Sequence, residues 1–407
     1  MKKKTLIYMR EDKLEHIGGP CGYLYNLKQE LSNREDTGIT FLQHEDGKVT
    51  ILLKNIKNSL PQKIKKYYLR IRDKKEQHAL INNLMSKKEK NSLTDLSKYD
   101  IVHFHTTTSL FMAKDSLKNY NGIVLLTSHT PKAPHLELLE DKLTTYTDSE
   151  KKKIKPFLEE VDNFAFKRAD YIIFPCKEAE DPYFHTWKRY KEVRDESKII
   201  YLPTGIPDVE TSTNSIDIRK KYNIPEDAIL ISYIGRHNTV KGYENLKQIA
   251  ENVLQNSDNI YFIIAGKEGP LYGLDNPKWI EIGWTKNSYD IIKASNAFIL
   301  PNKETYFDLI LLEAMSLGVP IILTETGGNK YFKKFNSNSL FFYNYGDINQ
   351  ATKIILNLAK SYNITSGAQN RQLFLEEFTI KKFTDNYLEI LKKLPKRMHS
   401  EDVEKID

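Results

Sequence analysis

Four stretches of this chain carry residue types able to do chemistry at the ends of strands. The first, HIGGPCGYLYNLKQEL (16–31), places Gly18, Gly19 and Gly22 between an apolar run and an amphipathic helix. Glycines let backbone N–H groups approach an anion, and a helix N-terminus adds partial positive charge; the same pattern also makes a plain tight turn. The second, SYIGRHNTVKGYENL (232–246), sets Arg236 and Lys241 in one short loop that ends at Gly242. Two cations there can clamp a diphosphate, or can be ordinary surface charge. The third, PNKETYFDLILLEAMSLGVPIILTETGG (301–328), embeds Glu313 in apolar helix-like sequence. Such a carboxylate needs a buried partner or faces a ligand, and two ribose hydroxyls would suit it. The fourth, LLTSHTPKAPH (125–135), leaves His129 just past an apolar run, as an acid/base, sugar-contacting or structural histidine.

Parallel strands must position these loops. Short, nearly continuous apolar runs recur at TLIYM (5–9), DIVHFH (100–105), GIVLLTSH (122–129), YIIFP (171–175) and KIIYLP (198–203). They resume at AILISYIG (228–235), NIYFIIAG (259–266), AFILP (297–301) and VPIILTE (319–325). Strands apolar on both faces, alternating with helical sequence, predict a doubly wound α/β fold. The polar stretch TGIPDVETSTNS (204–215) reads as a linker between two Rossmann-like domains. In the tail, Phe383, Tyr387, Ile390, Leu391 and Leu394 share a helical face before Pro395.

Composition narrows the function classes. Of 407 residues 28% are charged and 40% apolar, which suits two folded domains and excludes global disorder. Two cysteines, Cys21 and Cys176, make neither a disulfide framework nor a zinc cluster and fit a cytoplasmic setting. The most apolar stretch, 309–323, is interrupted by Glu313, Gly318 and Pro320 and is too short to cross a bilayer. The start MKKKTLIYMRED reads as a first strand rather than a leader.

The net charge of +7 is uneven. Residues 51–100 hold 13 Lys+Arg against 5 Asp+Glu, with Ile64, Tyr68 and Ile71 at helical spacing among the cations. This basic amphipathic helix is either a solvated face or a site of attraction to an anionic membrane surface. No motif of nucleic-acid recognition accompanies it.

In their order, the motifs resemble those of retaining glycosyltransferases of family four, of the bacterial surface-polysaccharide type. The likeness runs through the glycine loop at 16–22, LTSH at 126–129, KRAD at 167–170, LPTG at 202–205, GRHNTVKG at 235–242, IAGKEGP at 264–270, IGW at 282–284 and LLEAMSLGVPII at 311–322. It implies a GT-B fold, with two Rossmann-like domains facing a cleft. Residues 1–205 would bind the acceptor, 206–375 would bind the nucleotide sugar, and a helix over 376–395 would cross back to the first domain.

The resemblance also implies roles. Arg236 and Lys241 would hold the donor's diphosphate, Glu313 the ribose, and His129 the transferred sugar. The backbone at Phe307, Asp308 and Leu309 would line the sugar and phosphate. Gly283, Trp284 and Thr285 would lie beside the base. Gly19, with Gly18, Pro20 and Gly22, would approach the phosphates or the acceptor. The family usually has two glutamates separated by seven residues. Here Thr305 stands in the first place, Glu304 lies one position early, and Asp308 replaces a usual glycine. Either Glu304 or Thr305 would then do the sugar-contacting job.

The expected reaction moves a hexose or N-acetylhexosamine from a nucleotide diphosphate sugar, UDP by default, to a hydroxyl of a glycan or lipid-linked acceptor. It would use no metal or other cofactor. The enzyme would be cytoplasmic, peripheral at the inner face of the plasma membrane. The alternatives are a protein or soluble acceptor, or a non-catalytic partner subunit.

Overall fold

The computed structural model describes residues 3–8, 19–42, 62–86, 95–361 and 367–395, with backbone only for 62–67. Gly18 and, within the basic window, residues 51–61 and 87–94 lie outside the described residues, as does the side chain of Ile64. The chain forms two compact units. One takes residues 1–174, 183–201 and 387–407; the other takes 175–182 and 202–386.

The first unit is built on a six-stranded sheet of β1 (Thr5–Tyr8), β2 (Ile39–Leu42), β3 (Ile101–Phe104), β4 (Ile123–Leu126), β5 (Tyr171–Phe174) and β6 (Ile199–Tyr201). All pairs are parallel, in the order β2-β1-β3-β4-β5-β6. β1, β3 and β4 are buried at every residue, including the polar Thr5 and His103, as strands covered on both faces.

The second unit carries β7 (Ile229–Ile234), β8 (Ile260–Ala265), β9 (Trp279–Gly283), β10 (Ala297–Leu300), β11 (Ile321–Thr324) and β12 (Leu340–Tyr343). These too are all parallel, in the order β12-β11-β10-β7-β8-β9. Alternate residues go to opposite faces. Ile231, Tyr233, Phe262 and Ile264 join one core, while Leu230, Ile263 and Ala265 join the other. Both units are therefore doubly wound α/β sheets. The order reverses between β1 and β3 in one sheet and between β7 and β10 in the other, and crevices for ligands open at the carboxyl ends there.

Three elements differ from the sequence expectation. The helix that follows β1 begins at Gly19 itself and runs to Ser32, so Gly22 is a buried helical residue and not part of a loop. The stretch 204–215 is not a free linker, because the Asp290 carboxylate accepts bonds from Ser212 N and Oγ, both 2.7 Å, and Thr213 N at 3.2 Å. Residues 175–182 group with the second unit although β5 and β6 on either side belong to the first.

The tail helix, Ile380–Lys393, starts in the second unit and belongs to the first from Tyr387 onward. There Lys3 Nζ reaches the carbonyls of Leu391 (3.3 Å), Lys392 (3.2 Å) and Leu394, a cation on the helix's unsatisfied C-terminal acceptors. Among the described residues no helix is long and apolar enough to cross a membrane.

Candidate active site

In the second unit, the reversal point is formed by the loops after β7 and β10. Gly242 ends the β7 loop with φ +67°, and a Cβ there would lie 1.7 Å from Pro301 O. Glycine is thus needed for the backbone angle and for the close approach alike. Lys303 N and Glu304 N donate to Val240 O at 3.0 and 3.3 Å, tying the two loops together. Lys241 N donates to Asn238 Oδ1 at 2.9 Å. The Lys241 ammonium then faces the Asp308 carboxylate, 2.6 Å from Oδ1 and 2.8 Å from Oδ2. Asn302 Nδ2 donates to Asp308 Oδ2 at 2.5 Å. Arg236 is exposed, and its carbonyl accepts from Tyr233 Oη at 2.9 Å.

His237, between the two cations in sequence, anchors their loop from below. It is fully buried and stacks on Tyr243 with centroids 4.1 Å apart. Its Nδ1 is 3.1 Å from Glu281, whose carboxylate also accepts from Tyr243 Oη and Trp279 Nε1, both at 2.8 Å. Burial holds the His237 imidazole below its ordinary pKa, and the Glu281 charge works against that.

The β10 loop carries the remaining candidates. Thr305 is completely buried, and its Oγ1 has no hydrogen-bond partner among the described residues. Its carbonyl accepts from Gly328 N at 3.2 Å. Phe307 is buried against Phe332 (5.3 Å) and Tyr331 (6.0 Å). Asp308 and Leu309 open the helix Leu309–Ser316, which carries Glu313. Tyr289 Oη donates to Glu313 Oε1 at 3.4 Å. Desolvation raises the Glu313 pKa to about 7, and the Tyr289 bond only partly opposes it. The carboxyl is thus poised between neutral and charged near pH 7. Gly283 ends the edge strand β9, two strands from β7; Trp284 and Thr285 follow it, and Trp284 is exposed.

In the first unit, the ends of β3 and β4 bring together three histidines. His129 has φ +58° in the left-handed region, an uncommon angle for a residue with a Cβ. Its Nε2 is 2.9 Å from His105 Nδ1. His103, its ring tilted against that of His105 with centroids 4.1 Å apart, bonds Tyr387 Oη (2.8 Å) and Thr127 Oγ1 (2.9 Å). Burial drives all three down, His103 and His129 to about 3, so all are neutral at pH 7. Tyr23, on the helix begun by Gly19 and Pro20, meets the His129 ring edge-on at 4.7 Å. Gly19 has φ +58° and open space where a Cβ would stand.

Residues 214–372 match the family described as glycosyl transferases group 1. The matched residues lie wholly within the second unit. An Escherichia coli relative, UDP-Gal:alpha-D-GlcNAc-diphosphoundecaprenol alpha-1,3-galactosyltransferase, is 23% identical over 75% of this chain and 79% of its own. Sucrose-phosphate synthase from Thermosynechococcus elongatus superimposes with TM-score 0.62 at 16% identity, over 96% of this chain and 99% of its own. Anabaena HepE in complex with UDP-glucose gives TM-score 0.62 at 13% identity, over 96% and 100%. The fold is GT-B.

Most of the sequence candidates fall into two groups. Lys241, Glu304, Thr305, Phe307, Asp308 and Leu309 meet around the β7/β10 crevice, with Glu313 further along the same helix. His129 and Gly19 approach each other through Tyr23. Asn302, Tyr289, His105 and His103 are additional contacts that sequence reading did not single out. The two histidines had a signal, since polar residues alternate in the otherwise apolar run DIVHFH. Asn302 and Tyr289 had none, because their partners lie 6 and 24 residues away.

Proposed function

We propose that the chain is an active retaining glycosyltransferase. It takes a hexose or N-acetylhexosamine from a nucleotide diphosphate sugar, UDP-linked, and transfers it to a hydroxyl of a glycan or lipid-linked acceptor in cell-surface polysaccharide synthesis. The observation that carries this reading is Lys241 at the switch point of a group 1 unit, beside the N-terminus of the helix Leu309–Ser316. Negative charge grows on the departing diphosphate, and a fixed ammonium with a helix dipole beside it stabilises that charge. Arg236 adds a second cation from the same loop. The Glu313 carboxylate takes the ribose hydroxyls. The leaving phosphate itself accepts the acceptor's proton, so the scheme calls on no metal.

The name of the Escherichia coli relative, which includes a UDP-sugar and a diphosphoundecaprenol acceptor, favours the lipid-linked choice. So does the helix Gln62–Met85. Its later part packs Ile81 and Leu84 into the core, while Tyr68 and Ile71 stay exposed among Arg70, Lys74 and Lys75. That composition suits an anionic membrane surface. The first test is release of nucleotide from a panel of UDP-, GDP- and dTDP-sugars without acceptor. Slow release of one nucleotide, lost in Lys241→Ala and Glu313→Ala, supports the reading. Absence of release, together with no thermal shift from any nucleotide, sinks it in favour of a non-catalytic partner subunit.

A further inference from the structure

Asp308 immediately precedes the helix Leu309–Ser316, with φ −76° and ψ 121°. An aspartate in such a place ordinarily turns its carboxylate onto the helix's own first N–H groups. Asp308 makes no such bond. Its two oxygens instead take the Lys241 ammonium at 2.6 and 2.8 Å, and Oδ2 also takes Asn302 Nδ2 at 2.5 Å. Both charges are largely withdrawn from water, at 15% and 22% side-chain exposure, so the pair is screened little by salt.

We propose that Asp308 is the built-in counter-anion of the donor site. It holds Lys241 in place before a diphosphate arrives, competes with that diphosphate for the ammonium, and hastens departure of the nucleoside diphosphate product. The proposal rests on the reading of Lys241 as the diphosphate-holding residue. An ammonium left alone in this crevice would be costly, and Asp308 removes that cost in the free protein. When a diphosphate docks at Lys241, the carboxylate becomes a like charge beside it. Cleavage of the sugar–phosphate bond leaves a terminal phosphate that carries the acceptor's proton, and once that proton passes to solvent the phosphate holds one more negative charge than it had in the donor. The repulsion therefore grows on forming product. Asn302, which can donate to the carboxylate whether or not Lys241 does, keeps Asp308 from becoming an orphaned charge.

The test is calorimetric titration of UDP, GDP and ADP, and of the parent nucleosides, into wild type, Asp308→Asn, Asp308→Gly and Lys241→Ala, each checked for folding by circular dichroism. The expected result is that the best diphosphate binds Asp308→Asn on the order of tenfold more tightly than wild type, while its nucleoside binds the two alike. Asp308→Gly should behave as Asp308→Asn does, which guards against a local defect in either variant. Lys241→Ala should weaken the diphosphate and remove any gain from adding Asp308→Asn. Equal or weaker diphosphate binding by both Asp308 variants, with Lys241→Ala still impaired, overturns the counter-anion proposal and leaves the donor site standing. Unimpaired binding by Lys241→Ala, or no diphosphate binding by any form, overturns the donor-site reading and the proposal with it.

Discussion

Glu313 is the residue whose behaviour should report most directly on ligand binding. Its carboxyl has a folded-state pKa of about 7, above its unfolded value. Its contribution to stability is therefore complete below about pH 4.5 and is lost as pH rises through 7, a difference on the order of 1–3 kcal/mol. Thermal melts of the free protein should fall between pH 5 and pH 8 by more than those of Glu313→Gln. Ribose hydroxyls donate more strongly to the charged form than to the neutral acid, so nucleotide affinity should show the opposite trend. It should weaken up to about tenfold per pH unit below 7, and Glu313→Gln should flatten that dependence in calorimetry. His105 offers a contrasting case. Its 2.9 Å bond to His129 fixes the orientation of a ring on a strained backbone. Replacing His105 by Ala should lower acceptor-dependent turnover at least tenfold and leave nucleotide affinity at the wild-type value, because the second unit is untouched.

At the scale of elements, the joint between the β7 and β10 loops tolerates no side chain at residue 242. Gly242→Ala would place a Cβ 1.7 Å from Pro301 O at φ +67°. A loss of roughly 2–4 kcal/mol is expected, read as a lowered melting temperature together with lost nucleotide binding. The helix Gln62–Met85 should bring the protein down with anionic vesicles at low salt but not at 1 M salt, and Lys74→Glu with Lys75→Glu should abolish sedimentation.

Nine of the twelve described strands stood out in the sequence as near-continuous apolar runs; eight of them are inner parallel strands, covered on both faces, and the ninth is the edge strand β6. The three that did not, β2, β9 and β12, all lie at sheet edges. They are only partly buried, and β9 carries Glu281 in its middle. An edge strand needs no unbroken apolar run, and of the four edge strands only β6 left such a trace. The candidate loops were legible for a related reason. Glycines, prolines and cations at strand ends stand out against apolar neighbours. The pairing of Lys241 with Asp308 did not, since it joins residues 67 positions apart and depends on β7 lying beside β10.

At the scale of the molecule, the tail helix is part of the first unit's structure. Tyr387 is fully buried and bonds His103 at 2.8 Å. Tyr387→Phe would leave His103 Nδ1 buried and unpaired, at about 1–3 kcal/mol. Calorimetry should show the transition of the first unit moving down while nucleotide still stabilises the second.

The same arrangement sets an order of events during synthesis. Residues 3–8 leave the ribosome early, yet Tyr387 and Leu391, which pack in the same unit, leave it nearly four hundred residues later. At several residues per second, the first unit waits tens of seconds for its last piece, while nearly all of the second has already emerged. The unit that is begun first is finished last, and a nascent chain stalled before residue 387 would hold nearly all of the second unit while the first still lacked Tyr387.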